Sequence, residues 1–173
     1  MPLPPQASDV LLVTIAAGAG TAAAIDFRTR RIPNLLTVGL AALGVTLAAA
    51  GLSGVSLGSS FAGFVAGMVL MMPGRLLGAT GAGDVKLMAA VGAVLGIERM
   101  PAAFIATALA GGVLAIVIAV QRGRLAATLD GTGRILRAPA ETRKQIESAG
   151  VHNKFSYGPA IAAGAVLAAW LVR

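Results

Sequence analysis

Two aspartates stand where an apolar chain has least use for charge. Asp26 closes the apolar part of "AAAIDFRTRRIPNLL", and Asp84 opens that of "GAGDVKLMAAVGAVLGI". Two carboxylates within hydrogen-bonding reach cannot both ionise cheaply, so they share a proton; one then acts as general base toward a water while the other protonates a carbonyl or leaving group. That is the acid–base arrangement of aspartic proteases. Competing chemistry is poorly supplied. The chain has no cysteine, which removes thiol nucleophiles, disulfides and the CxxC zinc pattern. Its single histidine, His152, cannot make a zinc site alone and reads as a polar residue of a hydrophilic stretch. No serine has an evident base, and the sequence provides for no metal and no cofactor.

Each residue also has a plainer reading. Asp84 at a helix start fits a cap that accepts hydrogen bonds from free N–H groups of the first turn. Asp26 falls at a helix end, where the dipole disfavours a carboxylate, although Arg28, Arg30 and Arg31 could pair with it at the surface for little energy. Lys86, two positions beyond Asp84, points away from it on a helix, and snorkelling to headgroups is its simplest role. Pro33 suits the start of the second helix, and Asn34 either bonds within a site or caps. Convergence of the two aspartates on one face is a stronger signal than either alone.

The elements that must position them are membrane spans. The 173 residues are 57% hydrophobic and 12% charged, with mean hydropathy +0.84 and 23 glycines, well short of the ~25% charge of a soluble domain. Apolar runs recur near the ~17 to 25 residues that cross a bilayer as a helix. Six are expected, at about Val10–Ile25, Leu35–Leu52, Ser60–Leu77, Val85–Ile97, Ala102–Val120 and Ser156–Val172, giving an all-α, polytopic, single-domain membrane protein. Runs such as "FAGFVAGMVLMM" do not alternate, so barrel strands are not the reading. "MPLPPQASDV" carries no basic residue ahead of the first run, so the first span is expected to be retained rather than cleaved as a signal peptide.

Basic residues orient the chain, because they accumulate in short cytoplasmic loops. With the N-terminus outside, the segments 26–34, 73–86 and 121–155 face the cytoplasm and hold three, two and seven of the 14 lysines and arginines; Arg99 and Arg173 remain outside. The +7 formal charge therefore reports topology, with anionic lipid rather than nucleic acid as the nearer partner. Both aspartates then lie at the cytoplasmic edge. The fourth run has only 13 apolar residues, reaching about 20 Å at 1.5 Å per residue. Either its helix continues past the apolar part or Asp84 lies below the membrane surface, where a glycine-rich break can line a polar cavity and ionisable groups mark functional sites.

These residues resemble a known family. "DFRTRRIPNLLT", with Asp26, Ile32, Pro33 and Asn34, and "GAGDVKLMAA", with Gly81, Gly83, Asp84 and Lys86, are similar to the two aspartate motifs of the type IV prepilin leader peptidases, the GxGD membrane aspartyl proteases. The six-span plan and the late "YGPAIAAGA" also look like the family, so the resemblance covers most of the chain. It implies an endopeptidase of the bacterial inner membrane with Asp26 and Asp84 catalytic, Gly81, Gly83, Lys86, Pro33 and Asn34 supporting the site, and prepilins or pseudopilins as substrates cut at the cytoplasmic face. Pilus assembly machinery is the further partner it implies. Bifunctional members add a cytoplasmic segment, often with paired cysteines, and methylate the new pilin N-terminus. Lacking both features, this chain is similar to the short, peptidase-only form of Flp/Tad pilus systems.

Helix ends suggest an ordering of roles, with Asp84 at an N-terminus as the resting general base and Asp26 at a C-terminus holding the shared proton, the titration belonging to the pair. A proton-coupled transporter would also need intramembrane carboxylates, but no inverted repeat relates the halves; a scaffold of a secretion machine needs no acidic pair. Gly63 with Gly67, and Gly74 with Gly78, follow the small-xxx-small spacing of close helix packing within the protein. Tyr157 and Trp170 bracket the last span as interfacial anchors. Within the hydrophilic stretch, "AETRKQIESAG" suggests a surface helix and "RLAATLDGTGRILRAP" an amphipathic piece.

Overall fold

The computed structural model describes residues 5–77, 80–121 and 157–171, and these form an all-helical protein. In chain order the helices are α1 (Pro5–Thr29), α2 (Asn34–Ala49), α3 (Leu57–Leu76), α4 (Ala82–Leu95), α5 (Met100–Gln121) and α6 (Gly158–Trp170). Gly78, His152 and the expected surface helix and amphipathic piece of the 121–155 loop lie outside the described residues.

Local chemistry sets the boundaries. α1 ends where Arg30 adopts φ 53°, its N–H still donating to the Asp26 carbonyl at 2.8 Å. Pro33, extended at φ −62° and ψ 134°, then starts α2 without a side-chain cap. Ser56 caps α3 by accepting from the Ser59 N–H at 3.1 Å. Gly96, at φ 78°, stops α4, and Ser59 closes the turn behind it by accepting from the Ile97 N–H.

α4 is the axis of the bundle. Every residue from Leu87 to Leu95 is buried. α3 and α2 cover it most extensively, α1 and α6 add smaller contacts, and α6 also packs along α1 and α5. The α3–α4 contact is backbone against backbone: a Cβ added at Gly63 or Gly92 would strike the other's carbonyl oxygen, and one at Gly67 would strike that of Met88. The expected small-residue contact is thus internal at Gly63 and Gly67, whereas Gly74 faces Thr80.

α1, α3 and α5 are each long and apolar enough to cross a membrane, over Gln6–Thr29, Leu57–Leu76 and Met100–Ile118. Their exposed faces are apolar at helical spacing, as in Phe61, Val65 and Val69 of α3 and Ile105, Leu109 and Val113 of α5. The other three expected spans are shorter, with 16, 14 and 13 residues in α2, α4 and α6. α4 does not continue past its apolar part to recover length. It can be short because it meets protein on all sides, where backbone at membrane depth is tolerated.

Candidate active site

The C-terminal end of α1, the N-terminal ends of α2 and α4, and the N-terminal end of α6 meet at one end of the bundle. Asp26 and Asp84 are both buried there, at 6% and 7% exposure. Each lies within electrostatic range of the other.

Asp84 is the third residue of α4, and its Oδ2 accepts from the Gly81 N–H at 2.8 Å. The cap reading therefore holds, as one arm of a capping box; Gly81 has no side chain to supply the other. Capping does not exhaust the residue, since a cap at the surface would not bury its carboxylate beside a second one. A Cβ at Gly81 would lie 3.2 Å from Oδ2, and one at Gly83 would lie 3.3 Å from the Cβ of Ile32. The two glycines thus let the α4 turn close on Asp84 and let the chain ahead of α2 lie against that turn.

Asp26 lies in the last turn of α1, as expected, but not at the surface. α1 runs three residues beyond it, Arg28, Arg30 and Arg31 are exposed, and its Oδ2 accepts from the Gly158 N–H of α6 at 3.0 Å. Both carboxylates consequently rest on helix N-termini, Asp84 on that of α4 and Asp26 on that of α6. Asp26 still lies in the last turn of α1, so the α6 N-terminus opposes the C-terminal end of α1 at this carboxylate, and helix ends alone no longer order the pair as Asp84 base and Asp26 acid.

Lys86 is exposed, as a snorkelling lysine would be, and also reaches α2. Its Nζ donates to the Asn34 Oδ1 at 2.9 Å, joining the first turn of α4 to that of α2. Asn34 is the first residue of α2 rather than its cap, which is Pro33; Pro33, Asn34 and Lys86 are all exposed.

Sequence reasoning singled out the stretch holding Gly158 without giving that residue a role. Tyr157 is half-buried across Gly111 of α5, within electrostatic range of Asp84, and Trp170 is 57% exposed at the end of α6. The available signal was Gly-Pro at the start of an apolar helix, where proline removes one first-turn donor and the glycine N–H stays available to an acceptor.

Against known proteins, the model of the type IV leader peptidase family matches residues 13–116, from α1 through most of α5. The chain is also similar to a prepilin leader peptidase/N-methyltransferase of Neisseria gonorrhoeae, 38% identical over 107 residues that cover 58% of this chain and 37% of that protein. It thus spans little more than a third of that curated relative. No solved structure matches.

Proposed function

The chain belongs to the type IV leader peptidase family, and from that premise we propose that it is a membrane aspartyl endopeptidase that removes the short leader of prepilins or pseudopilins. The single observation carrying the reading is the burial of Asp26 and Asp84 together at one end of the bundle, each with one backbone N–H donor. A transporter would need charge along a path through the bundle; α4, its axis, is apolar from Leu87 to Leu95.

The chemistry needs only the dyad and a water. The ionised carboxylate takes a proton from the water as its oxygen adds to the scissile carbonyl, and the protonated carboxyl gives its proton to the carbonyl oxygen. The tetrahedral diol then collapses: one hydroxyl returns its proton to the carboxylate that had protonated the carbonyl oxygen, C=O re-forms, the C–N bond breaks, and the proton taken from the water passes to the leaving amine, which restores the starting pair. Gly81, Gly83, Pro33, Asn34 and Lys86 act by holding the two segments together. Cleavage occurs at the cytoplasmic face of the bacterial inner membrane.

The test is incubation of membranes containing the protein with a pilin precursor, reading leader removal. Asp26→Asn and Asp84→Asn are each expected to lower the rate by on the order of 10³-fold or more. Cleavage that survives either change excludes the dyad, and failure to cleave any pilin-like substrate returns the transporter reading.

A further inference from the structure

An α-helix ordinarily leaves several N–H groups unsatisfied at its start. In α6 Pro159 has no N–H, the N–H groups of Ala160 and Ile161 both donate to the Tyr157 carbonyl at 3.1 Å, and the Gly158 N–H points out of the turn. Its acceptor is the buried Asp26 carboxylate, 132 positions away in sequence. The approach is so close that a Cβ on Gly158 would lie 2.8 Å from the Asp26 Oδ2, 3.0 Å from its Cβ and 3.2 Å from its Cγ. The start of α6 is itself fixed from behind: Tyr157 lies across Gly111 of α5, where a Cβ would come within 2.6 Å of its ring.

We propose that Gly158 is a positioning residue of the active site, its N–H fixing the orientation of the Asp26 carboxylate and its missing side chain admitting that carboxylate against the end of α6. α6 is then the third arm of the site, beside the two motif segments. The proposal rests on the endopeptidase reading, in which Asp26 belongs to the reacting pair.

Gly158→Ala is expected to lower kcat for leader cleavage by on the order of 10- to 100-fold with KM changed by less than about twofold, since displacing a catalytic group by about 1 Å has this effect without touching substrate binding. Gly164→Ala is the comparison, because its Cβ would run into the backbone of Thr107 on α5, disturbing α6 away from Asp26. It is expected to lower thermal stability while the folded enzyme keeps its kcat. Independently of cleavage, the Gly158 amide proton, followed by solid-state NMR of the full chain in lipid bilayers, is expected to move upfield in Asp26→Ala. Equal loss of kcat in the two glycine variants, or an unchanged kcat in Gly158→Ala, overturns the proposal. So does a Gly158 amide shift indifferent to Asp26→Ala. If the unaltered protein cleaves no pilin precursor, the endopeptidase reading fails, and the amide shift still decides whether Gly158 holds Asp26.

Discussion

Lys86 and Asn34 stand 52 positions apart and share one hydrogen bond of 2.9 Å. Both are exposed, so the bond contributes only about 0.5 to 1.5 kcal/mol, yet it ties the segment behind Asp26 to the turn that carries Asp84. Lys86→Met and Asn34→Ala are each expected to slow leader cleavage by roughly 3- to 10-fold, the double variant losing no more than the worse single one. Additive losses would show that the two residues act separately. Position along a helix correctly put Lys86 away from Asp84, but it could not reveal what lay on that other side. The same limit applies to Asp26. Its place near the end of α1 was legible, whereas the α6 donor to its carboxylate is reached only through the tertiary fold.

The helices themselves were largely readable, because long apolar runs have few alternatives, and all six appear. What the sequence could not show was which helix is enclosed. α4 has a composition like its neighbours' and differs in being covered by them, through glycines that bring α3 to backbone contact. This contact is closed by Ser60, fully buried, whose hydroxyl donates to the Ala93 carbonyl at 2.6 Å. Ser60→Ala is expected to lower stability by about 0.6 kcal/mol, the average for such bonds between membrane helices. Gly92→Ala, which sets a methyl against the Gly63 carbonyl, is expected to cost about 1 to 3 kcal/mol. Thermal unfolding in detergent would check both. A smaller effect for Gly92→Ala than for Ser60→Ala would mean that α3 can retreat from α4.

Charge divides the whole molecule along the bundle axis. Among the described residues, Arg28, Arg30, Arg31, Arg75 and Lys86 fall at the end that holds the aspartates, and Arg99 at the other, with Asp9 and Glu98. This division supports an orientation with the N-terminus outside and the site on the cytoplasmic side. Because the chain has no native cysteine, single cysteines report it directly. In intact cells, Leu52→Cys, at an exposed position between α2 and α3, is expected to react with a membrane-impermeant maleimide, and Arg31→Cys only after lysis. The opposite pattern would invert the topology. α2, α4 and α6, at 16, 14 and 13 residues, reach about 24, 21 and 20 Å, against about 30 Å of hydrocarbon in an average bilayer. α4 is enclosed by protein, but α2 and α6 are shorter than the hydrocarbon of an average bilayer, a mismatch that a thinner bilayer would relieve. On the endopeptidase proposal, the protein reconstituted in phosphatidylcholines of decreasing chain length is expected to cleave faster as the bilayer thins. A rate that rises instead with chain length would mean that the short helices are matched by something other than the lipid.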